Sequence, residues 1–418
     1  MSGFVEALHQ RLEGIRAQGL WRELRRVDSP QGPWVERGGR CLLNFCSNDY
    51  LGLASHPAVR AAAAAAAQRW GGGAGASRLL CGSLAPQHEL ETALAAFKGT
   101  PAALAFASGY AAALGTIPTL VGPGDVVVLD KLSHACLVDG ARLSGAKLRV
   151  FAHNDLDDLE RILRWARSSP RTTLDAGRQC RVLVITESVF SMDGDLAPLP
   201  ELVNLKDRYD TWLLVDEAHA TGLYGATRRG LAEARGVADR IEVQMGTLGK
   251  ALGSAGGYIC GARELIECLV NGARSFIFST APVPAQAAAA GAAVAIVQSD
   301  EGRRLAGFLW ERVTELRRGL AGLGWTVGAE RTAPVSAIVP LMVGTEATAL
   351  ALAERLHEAG CLVPAIRFPT VARGAARLRI TVSAAHAAED VQQLLAALEL
   401  ALVDLGVAAH RQPAALGA

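Results

Sequence analysis

The clearest candidates for chemistry follow an apolar run of strand length. Residues 212–215 lead directly into Asp216, and His219 stands three residues later. An aspartate at such a position can hold a cationic ring nitrogen, and a nearby histidine can hydrogen-bond a phenolic oxygen. The same pattern also fits a helix-capping aspartate beside a buried, hydrogen-bonded histidine. Asp216 and His219 are therefore candidate ligands of a protonated aromatic ring.

Lys250 is the second candidate, because its neighbours are small and uncharged. It lies in the glycine-rich run 246–254, and no acid stands close to it in the sequence. The other lysines have charged neighbours or follow a helical pattern: Lys98, Lys131, Lys147 and Lys206. Attack on a carbonyl carbon requires a neutral amine, which a desolvated lysine of lowered pKa supplies. A lysine of a surface loop is the alternative interpretation.

The third candidate is the turn at Ser108, Gly109 and Tyr110, where an apolar run ends and a helical pattern begins. Backbone N–H groups at a helix N-terminus bind phosphate, and glycine allows close approach. Many strand-to-helix turns contain glycine, so this signal is weak alone. A phosphate turn, a strand-end aspartate, a nearby histidine and an isolated lysine, in this order, are typical of fold-type I pyridoxal-phosphate enzymes.

The elements that must position these residues alternate between strand and helix. Strand candidates are continuous apolar runs, at residues 102–107, 126–129, 148–151, 182–186, 212–215, 241–245 and 258–260. Helix candidates between them include residues 155–166, with Asn154 as the N-cap, and 199–209 after Pro198. This alternation predicts an α/β fold with a mostly parallel sheet covered on both faces. Ligands of such sheets bind at the carboxyl ends of the strands.

The pattern changes after about residue 300. A long helix is followed by alternating strand and helix candidates, at residues 301–320, 337–343, 347–359, 378–382 and 390–405. We therefore expect a smaller α+β C-terminal domain over residues 299–418, behind a large domain over residues 46–298. Residues 1–45 are expected to form an N-terminal helix and arm. The apolar face of that helix predicts docking, through Phe4, Leu8, Leu12 and Ile15.

Composition excludes several classes of protein. The 418 residues are 50% hydrophobic and 20% charged, which excludes global disorder, and a net charge of +1 argues against a nucleic-acid coat. The alanine-rich runs are too short and weakly apolar for a membrane span, and no signal peptide is evident. No CxxC pair is present, which favours reduced thiols in the cytoplasm over a zinc site, so no metal is expected. The glycines at 71–75 follow a helical pattern rather than a strand, which argues against a dinucleotide fingerprint.

The sequence resembles the α-oxoamine synthases, a family of fold-type I pyridoxal-phosphate enzymes, from about Arg22 to Leu405. The resemblance rests on motifs spread over this length: residues 44–53 (NFCSNDYLGL), 108–110 (SGY), 132–135 (LSHA), 190–195 (FSMDGD), 216–222 (DEAHATG), 247–250 (TLGK), 275–280 (SFIFST), 365–371 (AIRFPTV) and 377–386 (RLRITVSAAH). Three positions depart from the family pattern: Phe368 and Ala372 stand where prolines are usual, and Ala113 stands where asparagine is frequent.

The resemblance implies roles for individual residues. Lys250 would hold pyridoxal phosphate, Asp216 would pair with the ring nitrogen, His219 would bond the ring hydroxyl, and His134 would stack on the ring and touch the substrate. The remaining cofactor ligands implied are Gly109, Tyr110, Ser191, Thr247, Ser279 and Thr280. Of these, Ser279 and Thr280 are expected to reach the phosphate of the neighbouring subunit. The implied substrate-binding residues are Arg22, Asn48, His134, Arg367 and Thr370. Arg367 suits a carboxylate, and Arg22 the far end of the acyl chain, with Arg25 or Arg26 as substitutes.

The resemblance also implies an activity. The motif around Arg367 favours a homodimeric, cytoplasmic acyltransferase that joins L-alanine to a pimeloyl thioester in biotin synthesis, with coenzyme A or an acyl-carrier protein as the acyl carrier. Family members that use glycine or serine are the enzymatic alternative: glycine C-acetyltransferase, 5-aminolevulinate synthase and serine palmitoyltransferase. A dinucleotide oxidoreductase built on the Gly71 region and a cofactor-less binding protein are the alternatives from other classes.

Overall fold

Helices and strands alternate through most of the chain. The computed structural model describes residues 3–168, 180–325 and 336–407. The strands there are β1 (Trp34–Arg37), β2 (Arg40–Asn44), β3 (Ala102–Phe106), β4 (Val126–Asp130), β5 (Lys147–Phe151), β6 (Val182–Glu187), β7 (Trp212–Asp216), β8 (Val243–Thr247), β9 (Gly257–Gly261), β10 (Ile338–Gly344), β11 (Cys361–Leu362), β12 (Ala365–Ile366) and β13 (Ala376–Thr381). The helices are α1 (Gly3–Ala17), α2 (Pro57–Trp70), α3 (Ala85–Lys98), α4 (Gly109–Leu120), α5 (Ala135–Leu143), α6 (Leu156–Ser168), α7 (Leu199–Arg208), α8 (Leu231–Ala234), α9 (Arg263–Gly272), α10 (Arg274–Ile277), α11 (Pro284–Gln298), α12 (Asp300–Gly322), α13 (Glu346–Glu358) and α14 (Ala388–Asp404).

The central sheet has seven strands in the order β3-β9-β8-β7-β6-β4-β5. Strands β8, β7, β6, β4 and β5 run parallel, and β9 is antiparallel to both β3 and β8. Two apolar cores lie on its faces: in β7, for example, Leu213 and Val215 belong to one core and Leu214 to the other. The predicted α/β fold with a mostly parallel sheet is confirmed, and all seven predicted strands lie in this sheet.

One predicted helix cap is wrong. Asp155, not Asn154, caps α6, because its Oδ1 accepts a hydrogen bond from the Asp158 N–H at 2.9 Å. Asn154 adopts a left-handed conformation with φ of 55°, and its side chain donates instead to Asp195 at 3.1 Å. The tertiary contact to Asp195 thus replaces the local cap.

Two small sheets join the ends of the chain. Strands β10, β13 and β12 form an antiparallel sheet, while β2 pairs with β1 and, in parallel, with β11. The N-terminal arm therefore packs against the C-terminal part through main-chain hydrogen bonds, such as that from the Thr381 N–H to the Phe45 carbonyl at 2.9 Å. The domain limits given above stay a prediction.

The N-terminal helix α1 forms as predicted, but it docks on nothing within the described residues. None of its residues is buried, and Phe4 is 72% exposed. Its apolar face therefore contributes little to the stability of a single chain. Among the described residues, every helix is either too short or too polar to cross a membrane.

Candidate active site

The predicted aspartate, histidine and lysine meet at the carboxyl edge of the central sheet. Asp216 is the last residue of β7, and Lys250 follows the neighbouring parallel strand β8. The Nζ atom of Lys250 lies 2.8 Å from Nε2 of His219. Parallel pairing brings the two strand ends together, so residues distant in sequence share one site.

The environment of Lys250 favours a neutral amine. Burial lowers its pKa, and the negative charges of Asp216 and Glu187 oppose this shift only in part. A lysine with a lowered pKa has a larger fraction of nucleophilic amine at neutral pH.

Asp216 is buried and has no ion-pair partner among the described residues. Its Oδ1 accepts a hydrogen bond from the Ala218 N–H at 2.9 Å, and 5% of the residue is exposed. Burial raises its pKa, while the nearby Lys250 acts in the opposite direction. A cationic ligand group placed here would relieve the cost of holding a buried carboxylate.

His219 is fixed by a tyrosine that the sequence analysis did not select. The Tyr50 hydroxyl lies 2.7 Å from Nδ1 of His219 and donates to Asn48 Oδ1 at 3.2 Å. Burial and the charge of Lys250 hold the pKa of His219 well below its usual value, so the ring is neutral. One of its nitrogens is then an acceptor, and Tyr50 and Lys250 fix the plane of the ring.

The predicted phosphate turn lies beside the start of β9 and the end of β8. Ser108 caps α4, accepting a hydrogen bond from the Ala111 N–H at 3.0 Å. A Cβ atom added at Gly109 would lie 3.8 Å from Cβ of Thr247. The first N–H groups of a helix lack partners within it, so α4 offers them to an anion next to Thr247.

His134 caps α5 and stands near Tyr110, with the two ring centroids 6.5 Å apart and edge to face. Its backbone N–H donates to Glu187 Oε1 at 2.5 Å, and its side chain is exposed. An exposed ring at this edge is free to stack on a flat ligand.

Glu187 is a second residue that the sequence analysis missed. It ends β6 directly beside Asp216 of β7, and both are buried. Burial and the charge of Asp216 raise the pKa of Glu187 to about 8. An acid that directly follows an apolar strand was the signal used for Asp216, and it applies equally here.

Arg379 is the third residue that the sequence analysis missed, and it hydrogen-bonds two residues that were predicted, Ser191 and Asn48. Its Nε donates to the Ser191 carbonyl at 2.6 Å, and its Nη2 donates to Asn48 Oδ1 at 3.2 Å. Its charge also lowers the pKa of Lys250 and His219, which places it at the same site. Arg379 is buried and forms no ion pair with a carboxylate of the described residues, which suits its guanidinium to an anionic substrate group.

Among the described residues, no hydrogen bond joins the other predicted residues to Lys250. Arg22 and Thr370 are exposed. Arg367 donates to the Gly19 carbonyl at 2.5 Å. Ser279 is partly exposed, and Thr280 forms a bridge with Ser77. The expected roles of these residues therefore stay a prediction.

The loop that carries Lys250 is held against a short turn that follows the N-terminal arm. The Gly253 N–H donates to the Lys250 carbonyl at 2.8 Å, and Gly253 has a φ of 58°. A Cβ atom added there would lie 2.3 Å from the backbone nitrogen of Ala54. Only glycine permits this contact between the lysine loop and the short 3₁₀ turn Leu53–Ser55.

Comparison with known proteins places the chain in a family. The model of the aminotransferase class I and II family matches residues 40–398. The 8-amino-7-oxononanoate synthase of Anaeromyxobacter dehalogenans is 50% identical over 98% of this chain and 99% of its own length. That of Geobacter sulfurreducens is 48% identical over 95% of this chain and 98% of its own. The chain belongs to the 8-amino-7-oxononanoate synthase family.

Solved structures agree with this fold. The serine palmitoyltransferase of Sphingomonas wittichii has a TM-score of 0.88 and 32% identity, covering 97% of this chain and 99% of its own. The 8-amino-7-oxononanoate synthase of Francisella tularensis has a TM-score of 0.72 and 25% identity, covering 88% and 99%. The fold is thus shared with a sibling enzyme, whereas sequence identity favours the 8-amino-7-oxononanoate synthases.

The site fits the cofactor of this family, pyridoxal phosphate. The group needs an amine for its aldehyde, an anion for its ring nitrogen and donors for its phosphate. Lys250, Asp216 and the N-terminus of α4 supply these three, and His219 suits the ring hydroxyl. The buried, unpaired carboxylate of Asp216 is the observation that best matches a cationic ring.

Proposed function

We propose that the chain catalyses the decarboxylative condensation of L-alanine with a pimeloyl thioester. The products are 8-amino-7-oxononanoate, carbon dioxide and the free thiol. The observation that carries this proposal is the desolvated amine of Lys250, 2.8 Å from His219 and at the same strand edge as the buried Asp216. Identity of 43–50% to curated 8-amino-7-oxononanoate synthases supports the choice of substrates.

The residues divide the chemical work. Bound pyridoxal phosphate supplies an electron sink for the bonds broken at the amino acid α-carbon. Lys250 would bind the cofactor covalently, and its neutral amine is placed to take the substrate α-proton and return it. Asp216 would keep the ring nitrogen protonated, and the neutral His219, held by Tyr50, would hydrogen-bond the ring hydroxyl. His134 would stack on the ring and exclude water from it.

The carboxylate of alanine is best placed at Arg379. This guanidinium lies close enough to Lys250 and His219 to lower the pKa of both. Arg367, the residue the sequence favoured for a carboxylate, bonds the Gly19 carbonyl instead. We therefore propose Arg379 for the amino acid carboxylate, with Arg367 holding the N-terminal arm.

The function is tested by a product assay on the holoenzyme. Alanine, glycine and serine are each offered with acetyl, succinyl, pimeloyl and palmitoyl thioesters, carried by coenzyme A or by an acyl-carrier protein. Alanine with pimeloyl thioester should give the highest kcat/KM. Preference for glycine or serine would assign the chain to a sibling activity, and the two carriers compared side by side identify the thioester used.

We further propose a homodimer whose sites are shared. Ser279 and Thr280 have no hydrogen bond to the Lys250 cluster of their own chain, which fits a role at the partner's phosphate. Mixing Lys250→Ala with Thr280→Ala protein should restore about a quarter of the wild-type activity, because half of the dimers are hybrids with one intact site. The measurement is kcat per dimer after denaturation and co-refolding. Hybrid dimers proved by mass spectrometry but without activity would contradict the shared site.

Arg22 is proposed to bind the distal carboxylate of the pimeloyl group, because a carboxylate taken from water needs a partner. Arg22→Ala should raise KM for the pimeloyl thioester more than roughly tenfold, because one charge-assisted hydrogen bond to the substrate is lost. KM for alanine should change less. The ratio of kcat/KM for the pimeloyl thioester to kcat/KM for a neutral thioester of similar length should fall. Steady-state kinetics on both thioesters decide this, with exposed Arg11→Ala as the control. An unchanged preference would leave Arg22 a solvated residue.

A further inference from the structure

His153 holds two carboxylates with one ring. It follows β5, and its Nδ1 lies 2.9 Å from Asp130 Oδ1 while its Nε2 lies 2.6 Å from Asp195 Oδ2. A neutral imidazole has a single N–H, so two hydrogen bonds to carboxylates require the doubly protonated ring. The geometry therefore makes His153 a bridging cation between two acidic side chains.

The surroundings of the ring agree with this charge. Burial opposes protonation, but the hydrogen bonds to Asp130 and Asp195 outweigh it and raise the pKa of His153 to about 10. These two carboxylates, one from the end of β4 and one from the loop before α7, are the charges that act on the ring. Phe190 packs edge to face against it, with ring centroids 4.4 Å apart.

Asp130 anchors the segment that carries His134. Its Oδ1 accepts a hydrogen bond from the Leu132 N–H at 2.8 Å, and its carbonyl accepts one from the Ser133 N–H at 3.1 Å. His134 is the next residue along the chain. The position of the stacking histidine thus depends on a carboxylate that His153 contacts.

Asp195 anchors the segment that holds Arg379. Its carbonyl accepts a hydrogen bond from the Phe190 N–H at 3.0 Å, which closes a tight loop around Ser191. The Ser191 carbonyl is the acceptor for Arg379 Nε at 2.6 Å. A shift of Asp195 would therefore move the acceptor that aims the guanidinium.

We infer that His153 is a positioning residue that ties the His134 segment to the Ser191 loop, and so fixes Arg379 relative to the stacking histidine. The inference rests on the proposed function, in which Arg379 holds the amino acid carboxylate and His134 covers the cofactor ring. His153 itself touches neither. His153 acts by fixing the distance between the Arg379 guanidinium and the His134 ring.

The bridge should persist across the physiological pH range. The pKa of His153 is about 10 in the folded chain and about 6.5 when unfolded, so its stabilising contribution is complete below pH 6.5 and is lost as pH rises through 10. We therefore expect that the titration of His153 causes no change in KM for alanine between pH 6 and 8. A histidine of ordinary pKa would release the bridge in that interval.

The test replaces His153 by glutamine, which can donate to only one of the two carboxylates. His153→Gln holoenzyme should keep its cofactor but bind alanine roughly tenfold more weakly, since misplacement of about 1 Å can cost that much or more. Alanine affinity is read from the change in the visible spectrum, and the tilt of the cofactor from its visible circular dichroism. His56→Gln is the matched control. His56 also contacts a carboxylate, with its Nε2 3.2 Å from Glu301 Oε1, but this pair has no hydrogen bond to the site.

A double-mutant cycle separates positioning from general loss of structure. In an Arg379→Lys background, His153→Gln should weaken alanine binding less than twofold, because the group it positions is gone. Additive effects, or unchanged alanine affinity and circular dichroism in the single variant, would overturn the inference. If His153→Gln does not fold, Asp195→Asn gives the same test from the other end of the bridge. Failure of the proposed function is distinct, since Arg379→Lys alone would then leave alanine binding unchanged.

Discussion

Replacement of Lys250 by alanine should abolish turnover while leaving the fold intact. Of the described lysines, only Lys250 has its amine hydrogen-bonded to His219, so no other is placed to replace the covalent bond to the cofactor or the proton transfer at the α-carbon. Loss of a general base alone costs up to about ten-thousandfold in rate, and loss of covalent binding adds to it. Product formation and borohydride fixation of the cofactor, read by intact mass, are the two measurements.

Lys147 provides the matched control, since it is exposed and begins β5, at the opposite edge of the central sheet from Lys250. Lys147→Ala should retain near-normal activity and a fixed cofactor. The far-ultraviolet circular dichroism of Lys250→Ala should equal that of the wild type, because only one hydrogen bond, that to His219, is lost. A Lys250→Ala enzyme that still bound cofactor covalently and turned over at near-normal rates would refute the assignment.

Asp216→Asn should keep some cofactor and lose most of the rate. A neutral amide cannot stabilise the protonated ring nitrogen, which makes the cofactor a poorer electron sink. Losing a buried charge-assisted hydrogen bond should cost about 3 kcal/mol or more, roughly a hundredfold in kcat. The rate is measured under saturating cofactor, so that weaker binding does not contribute.

Asp157→Asn is the control for this substitution, because Asp157 is an exposed aspartate in the first turn of α6. Its kcat should stay within twofold of the wild type. If Asp216→Asn had an unchanged kcat and an unchanged spectrum with alanine, Asp216 would have only a structural role as the acceptor for the Ala218 N–H.

The sequence predicted the parts of the site that sit at the ends of continuous apolar runs. Asp216 and Lys250 were found because a buried parallel strand reads as an uninterrupted apolar stretch, and the polar residue after it stands out. The short strands β11 and β12 went unpredicted, since two residues carry no periodic pattern. They depend on pairing with β2 and β13, which is a tertiary property.

Glu187 and Arg379 were missed for different reasons. Glu187 ends an apolar run as Asp216 does, but no histidine or glycine motif follows to draw attention to it. Arg379 lies inside a buried strand, where a charge is expected only if something pairs with it. That partner turned out to be a carbonyl in a distant loop, and no single sequence reports such a contact. The same limit applies to Ser279 and Thr280, whose expected role needs a second chain.

The close packing of Gly253 on Ala54 has a consequence for how the enzyme is made. Residues 45–54 are synthesised early, yet their contacts are completed by residues that emerge much later: Gly253 of the lysine loop, Thr381 bonded to the Phe45 carbonyl, and Ala384 bonded to the Tyr50 carbonyl. Such long-range closure delays assembly until most of the chain has left the ribosome. A nascent or truncated chain that stops before β13 contains the lysine, the aspartate and both histidines of the site: Lys250, Asp216, His134 and His219. It lacks the strand that bonds the Phe45 carbonyl. We therefore expect catalytic competence only after β13 has been synthesised.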